Sequence, residues 1–543
     1  MSGLRRHAGL LALLALAAPL VVAFCWHDDI STLGDDSVSY VTLARWLSPF
    51  AHDAISAPWV PFYSHFPPIF PMLLAITGGA WNFFVAHMVV AACALGAIPF
   101  VYAYGASRLG SPRAGLGLAL VFLLLPTAWI SALSILSEPL YLAISLAALI
   151  WYARSEGEEG AKPVIVPGLL VGAAVLTRAA GIALLAACAA HVAIRARQGR
   201  AARRDVLPLL IAVALQLAWI AIRPAVESKG YQLDLASMLR AWIDRPSQMA
   251  EMSWNSLSGG WIATFAADSH EPAAIQAVLG GVALLGLAGA VRGAMRNRVD
   301  SWYVLASVAM LVIWVFAEDN QRRLLYPVVP LLLCHAAEML AAIAARLRGI
   351  RSAGRAMLAG AALVALLSAP ATLLVARKSA DREPLIEGSG YSLSSITPYY
   401  TIVNVGHAGA IAWRQAAVLS GLEAIGRVTP RDARVMWMRP EYVAILGRRE
   451  AVPWYYAWDR ATLAREVERT GTTHMVVARI FKADLAGRDG DAFAALVLDT
   501  PGYLHPAFTI VDPTNGNNAF MLLEVDREAL ARALGRQGPG KPR

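Results

Sequence analysis

Four short stretches of the 543-residue chain place ionisable side chains against apolar neighbours. The first runs from Gly34 to Leu47, where Asp36, Tyr40, Leu43, Ala44 and Leu47 recur at helical spacing and so share one face. Asp35 and Asp36 stand at its N-terminal end, where a helix dipole favours negative charge. The plainer reading is a helix cap, but one Asp suffices for a cap, and Asp28, Asp29, Asp35 and Asp36 form an acidic cluster. In the second stretch, Tyr63 and His65 precede Pro67, Pro68 and Pro71, prolines that rigidly lead the chain into an apolar helix. In the third, Glu138 follows Ser137 and precedes Pro139 inside an apolar run, either as a first-turn capping residue or as a carboxylate in need of a partner. In the fourth, Glu318, Asp319, Arg322 and Arg323 lie just before Tyr326 and Pro327. Those four charges can pair with one another, or the arginines can serve as fixed cations for a phosphate. Arg178, another cation beside an apolar run, joins them.

Together these residues are the parts of one reaction. A carboxylate, Asp35 or Asp36, removes a proton from an acceptor hydroxyl or amine. Arg178, Arg322 and Arg323 stabilise charge growing on a departing phosphate. Tyr40, Tyr63, His65 and Glu138 are expected to line the substrate site. At the level of lipid headgroups, such a site suits a sugar donor tethered to a lipid phosphate.

The elements that must position these residues are membrane spans. The chain is 57% hydrophobic and 16% charged, with a mean hydropathy of +0.51, whereas soluble chains carry about 25% charged residues. That excludes an ordinary soluble enzyme and a disordered chain. Eleven stretches approach the roughly 20 apolar residues that a span needs, at about 8–25, 80–104, 113–131, 134–153, 163–177, 180–196, 205–222, 273–291, 301–317, 323–345 and 356–375. The first is expected to be a retained helix, not a cleaved signal, because no small-residue cleavage site follows it. With the N-terminus inside, 18 of the 26 Lys and Arg residues before position 377 fall on inner segments. The net charge of +9 therefore largely orients helices and calls for no nucleic acid.

This topology places residues 1–376 in a membrane domain with long outer loops at 26–79 and 223–272, rich in Trp and Pro and suited to lying in the interface. Residues 377–543 have soluble composition and fall outside. There the pattern predicts helices at 410–426, 459–470 and 491–498, strands at 433–438, 442–446 and 473–478, and a hairpin of 507–511 with 519–525. This is a small α/β domain, with no phosphate-binding glycine loop and no metal-ligand spacing. The four cysteines lie in or beside spans, so the outer domain is not held by disulfides. The absence of an Asn-x-Ser/Thr sequon and the heavy Ala and Arg usage point to a bacterial inner membrane, with a cytoplasmic N-terminus and a periplasmic C-terminal domain.

The same residues resemble the GT-C glycosyltransferase superfamily, nearest to bacterial polyprenyl-phosphate-sugar enzymes related to protein O-mannosyltransferases and lipid A aminoarabinose transferases. Asp36, Tyr40 and Ala44 match the acidic motif of the first outer loop. His65, Pro67 and Pro68 match the Pro-Pro segment, Ser137 and Glu138 the Ser-Glu of an early span, and Arg323 with Pro327 a late Arg-x-x-x-Pro. Ser37 stands where the mannosyltransferase pattern has Glu, and His65 where aminoarabinose transferases have Lys. The resemblance implies a multi-span α-helical GT-C-like fold of about eleven transmembrane helices with a C-terminal extracytoplasmic α/β domain. It implies an inverting transfer of a hexosyl or pentosyl group from a polyprenyl-phosphate carrier to a lipid, glycan or protein acceptor. Asp36 is the preferred base by its spacing to Tyr40, with no cofactor and no metal. The rival readings are a transporter or flippase of lipid-linked sugars, whose charges belong near the bilayer midplane with repeat symmetry, and a ligase acting on polyprenyl-pyrophosphate glycans.

Overall fold

A computed structural model describes residues 2–30, 36–155, 160–200, 202–226, 230–266, 272–316, 318–346, 353–400, 408–454, 460–478 and 502–535. Asp35, Asp459 and the helix expected at 491–498 lie outside these residues. The chain is a multi-pass membrane protein built on long apolar helices. Six are long and apolar enough to cross a bilayer, and a pair bent by 60°, Pro112–Leu123 with Pro126–Leu133, brings the number to seven if it is one span. Each of the eleven apolar stretches is helical, but several are too short to span by themselves. Lys162–Thr177 and Val299–Ile313 have 16 and 15 residues, about 24 Å and 22 Å at 1.5 Å per residue, against a hydrocarbon thickness near 30 Å.

Close helix packing depends on small residues. A Cβ at Gly115 would lie 2.5 Å from the Tyr102 carbonyl, so the helices Phe83–Leu109 and Pro112–Leu123 approach at a distance only glycine permits. At one end of the bundle, charged side chains tie three helices together, Phe83–Leu109, Val299–Ile313 and Val329–Arg346. Arg108 meets Asp300 at 3.1 Å and Glu338 at 2.8 Å, and Arg298 meets the same two carboxylates at 3.0 and 2.7 Å. Tyr104 donates to Asp300 at 2.8 Å. Arg108 and Arg298, read from the sequence as orienting charges, are therefore also paired.

The C-terminal region carries a five-stranded sheet: β1 (Arg434–Trp437), β2 (Glu450–Pro453), β3 (His474–Ala478), β4 (Leu504–Val511) and β5 (Asn518–Val525), in the order β2-β1-β3-β5-β4. β1 runs parallel to β2 and β3, and the β4–β5 hairpin is antiparallel. The helix Ala408–Val428 lies on the sheet with Gly421 directly against the Phe520 ring. The segment 442–446, expected as a strand, is instead helical, continuing Pro440–Tyr442 into a π-helical turn at Val443–Gly447. Pro440 pre-sets a helical φ at the first turn. A short, fully buried apolar run does not reveal its period, so Val443 to Leu446 read equally well as strand. The true strand partner of β1 begins at Glu450.

One buried apolar cluster joins the region between the first helix and Phe83–Leu109 to this sheet. Tyr40, Leu43, Phe66 and Phe70 belong to it with Leu419, Trp437, Tyr442 and Phe520. Tyr63 also turns to this side and hydrogen-bonds Glu441. Glu441 is buried, and burial raises its carboxyl above the ordinary range against the opposing pull of Arg439 and the Tyr63 hydrogen bond. A carboxyl raised in the fold binds its proton more tightly than in the unfolded chain. Its contribution is therefore full below the unfolded carboxyl range and is lost as the pH rises. Glu441→Gln, which keeps an acceptor for Tyr63 but cannot ionise, is expected to match the parent in thermal melts near pH 4, at about the unfolded carboxyl value, and to exceed it increasingly toward pH 8. Parallel melting curves across that range would contradict this.

Candidate functional site

The site begins at the helix Ser37–Leu47, whose N-cap is Asp36. A capping Asp ordinarily accepts a hydrogen bond from the backbone of the first turn. The Asp36 side chain makes no such bond. Its Oδ2 accepts instead from Arg323 Nη2 at 3.0 Å, a contact across 287 residues of sequence. The backbone carbonyl still starts the helix, accepting from Tyr40 N at 2.9 Å.

Arg323 sits in the short helix Glu318–Leu325 that precedes the span Val329–Arg346. Its Nε donates to Glu138 Oε1 at 2.8 Å. Arg178, in extended conformation at the end of Lys162–Thr177, brings Nη1 to the same oxygen at 2.8 Å. The Glu138 side chain is fully buried, and its Oε2 has no hydrogen-bond partner among the described residues. Arg178 Nη1 also lies 3.4 Å from Ser137 Oγ, and Ser137 Oγ is 2.8 Å from the Tyr40 hydroxyl. Since Tyr40 and Asp36 are one helical turn apart, the interactions close a ring: Asp36, Arg323, Glu138, Arg178, Ser137, Tyr40. The ring is graded in exposure. Glu138 has 0% of its side-chain surface exposed, Arg323 8%, Arg178 10% and Asp36 36%. The acid at the rim is the group a substrate can reach.

The elements that hold Asp36 are themselves braced. Tyr40 packs edge-on to Phe66 and Phe70, with ring centroids 5.3 and 5.1 Å away. At the far end of its helix, Arg45 pairs with Asp53 at 2.8 Å, donates to the Ala80 carbonyl at 3.0 Å and lies over the Trp81 ring. The carboxyl of Asp53 is held below its usual range because hydrogen bonds from Arg45 and Ser56 and the Arg45 charge outweigh the opposing effect of its burial.

The sequence-selected residues thus separate into groups. Asp36, Tyr40, Glu138, Arg178 and Arg323 come together. His65 stacks on Phe66 with centroids 4.5 Å apart, one ring removed from Tyr40. Tyr63 turns to Glu441, and Arg322 is fully buried in the helix beside Arg323. Asp35 lies outside the described residues, and the side chains of Glu318 and Asp319 are not described. Sequence reasoning did not single out Ser137 as the link between Tyr40 and Arg178, nor the Arg45–Asp53 brace; a cation between Ala44 and Trp46 in an otherwise apolar stretch was the available signal for the latter. Among the described residues no group of three or more His, Cys, Asp or Glu could hold a metal ion.

No family model matches the sequence, and no curated protein matches it. Solved structures do. The chain superposes on ArnT from Cupriavidus metallidurans bound to undecaprenyl phosphate with a TM-score of 0.51 and 14% identity, covering 95% of this chain and 98% of that one. The apo state of the same protein gives the same values. The arabinofuranosyltransferase AftD from mycobacteria aligns with a TM-score of 0.48 and 15% identity over 95% of this chain and 40% of its own. The likeness to ArnT extends over nearly the whole of both chains and is a likeness of fold.

The ring makes distinct demands on its two acids. Removing Glu138 would leave two buried guanidiniums facing each other, whereas Asp36 is partly solvated. Glu138→Ala is expected to destabilise the protein by about 3–5 kcal/mol, the range for breaking a buried pair, and Asp36→Asn by under about 1 kcal/mol, as for partly exposed pairs. Thermal unfolding in lipid nanodiscs measures both; equal losses would remove the distinction between anchor and rim.

Proposed function

We propose that the protein is an inner-membrane glycosyltransferase that moves a sugar from a polyprenyl-phosphate carrier to an acceptor at the periplasmic face, with inversion at the anomeric carbon. The observation that carries this reading is the displaced cap: Asp36 gives up the ordinary hydrogen bond to its own helix and is held by Arg323 at the exposed rim of a buried charge ring. A residue serving only to start a helix would not be wired in this way. The GT-C fold adds support, because ArnT, which shares it over nearly its full length, was solved with undecaprenyl phosphate.

In this reading the acceptor hydroxyl or amine approaches the Asp36 carboxylate. As the acceptor atom bonds to the anomeric carbon, its proton passes to the carboxylate and the bond from that carbon to the carrier phosphate breaks. The electron pair leaves with the phosphate, where Arg323 and Arg178 meet the growing charge. Glu138 keeps these guanidiniums apart and aimed, so they need little reorganisation as the phosphate leaves. Arg322, His65 and Tyr63 stand outside the ring and are, in this reading, secondary determinants of substrate fit, and Asp35 is the alternative base. Residues 1–376 form the catalytic unit, and residues 377–543 support it from the periplasmic side. The ring uses the chain's own residues throughout, and no cofactor is invoked. Asp36 and Glu138 stand at the N-terminal ends of their helices and Arg178 and Arg323 at the C-terminal ends of theirs, so in this reading all four lie away from the bilayer midplane where a transporter would hold its substrate.

Two measurements test the proposal. Mass spectrometry of protein purified with native lipid should find a polyprenyl phosphate or its sugar conjugate. In vesicles supplied with that donor, Asp36→Asn should lower transfer by about 10²–10⁴-fold, the usual loss with a general base, while the protein remains folded. Full transfer by Asp36→Asn and by Asp35→Asn would overturn the base assignment, and the absence of any polyprenyl species would overturn the donor.

A further inference from the structure

A second polar cavity lies apart from the ring. Its volume is about 530 Å³, and Trp26, His27, Asp28, Asp29, Arg382 and Ser394 line it. That size falls within the range of small-molecule sites. Three elements build it: the chain just after the helix Ser2–Phe24, the start of Phe83–Leu109, and the segment leading to Leu393–Tyr400. None of its lining residues belongs to the Asp36 ring.

The wall is firmly built. Arg382 donates to the carbonyls of Ala23 at 2.7 Å and Trp26 at 2.9 Å, closing the C-terminal end of the first helix from more than 350 residues away. His87 is 2.9 Å from the Asp29 carbonyl. Trp26 stands edge-on to Phe84 at 4.8 Å and keeps 53% of its surface exposed. The hydroxyls of Ser392 and Ser394 are 2.7 Å apart.

The decisive residue is His27. It is only 7% exposed, yet its Nε2 has no hydrogen-bond partner among the described residues. A buried ring nitrogen left unsatisfied is costly, and a ligand hydroxyl in the cavity would relieve that cost. Burial, then His87, then Arg382 depress this imidazole to about 3, so it is neutral; its other nitrogen donates to the Phe24 backbone, which leaves Nε2 as an acceptor. With two carboxylates, one guanidinium and a neutral imidazole, the lining carries a net charge near −1.

An exposed indole, two adjacent carboxylates, neighbouring hydroxyls and a neutral imidazole together match a pyranose. Its C–H face lies on an aromatic ring, and its hydroxyls donate to carboxylates. The negative balance disfavours phosphorylated or carboxylated ligands. We propose that this cavity is a saccharide-binding site that takes a neutral or amino-substituted sugar unit and so holds part of a glycan acceptor. Assigning the sugar to the acceptor rests on the glycosyl-transfer reading; the sugar site itself does not.

Saturation-transfer NMR on the full chain in lipid nanodiscs, free of sugar-headed detergents, tests it with glucose, glucosamine and glucuronate as probes. Glucose and glucosamine should bind saturably with Kd values of about 1–10 mM, and glucuronate at least about tenfold more weakly. Trp26→Ala, at an exposed position, and His27→Ala should each weaken glucosamine binding by about tenfold or more, while Asp36→Asn should leave it unchanged. The site is overturned if neither sugar saturates by about 50 mM, if both cavity variants bind like the parent, or if glucuronate binds as well as glucosamine. If glucosamine binds as expected while Asp36→Asn retains full transfer, the base assignment alone fails. If transfer depends on Asp36 while no sugar occupies the cavity, the saccharide site alone fails.

Discussion

The organisation of the site depends on one guanidinium. Arg323 touches Asp36 with one nitrogen and Glu138 with another, 3.0 and 2.8 Å away. A buried cation needs compensation from every side, and a buried carboxylate likewise. Glu138 alone could neutralise Arg323, but Arg178 reaches the same Glu138 oxygen. Two cations then share one buried anion, and the second anion has to come from the rim. That imbalance draws Asp36 off its helix cap. A carboxylate held by an internal charge requirement stays in place without a substrate, which is the preorganisation that a general base and a phosphate-stabilising pair both need.

The same requirement operates at the opposite end of the bundle with a different outcome. There Arg108, Arg298, Asp300 and Glu338 form a cross-braced set in which each cation meets both carboxylates. Two positive and two negative charges saturate one another, and the cluster leaves no acid drawn out to a rim. The Asp36 ring also contains two of each, yet its ion pairs alone form a chain, Asp36 to Arg323 to Glu138 to Arg178, with Asp36 at a partly solvated end. Connectivity, not composition, separates a lock from a site.

Much of this was legible in the sequence because the bilayer makes charge expensive. Asp36, Glu138, Arg178 and Arg323 stood out as ionisable groups at the ends of apolar runs, and the structure brings these four together. The eleven apolar stretches were legible as helices. Their number as independent spans was not, because a helix such as Val299–Ile313 crosses only with help from its neighbours, and composition does not record neighbours. Here the help is visible: Ser253 and Trp242 donate to the carbonyls of Val312 and Ile313 at its end. Pairings were not legible either. Arg322 and Arg323 are adjacent and chemically alike, and only the helix phase decides which one meets Asp36. The segment from Val443 to Leu446 failed for a different reason, since full burial erases the alternation by which a strand is recognised.

The soluble region bears on the site through packing. Tyr40 belongs to the ring by its hydroxyl and to a large apolar cluster by its ring, and that cluster continues through Phe66 and Phe70 to Trp437, Tyr442 and Phe520. Close-packed interiors transmit displacement because they contain little empty volume. A shift of the Ala408–Val428 helix or of β5 would therefore press on the face of Ser37–Leu47 that carries Tyr40, and so on the turn that presents Asp36. His65, stacked on Phe66, stands at the edge of the same contact. In the proposed reaction, the α/β unit acts by fixing the helix at whose N-terminus Asp36 stands.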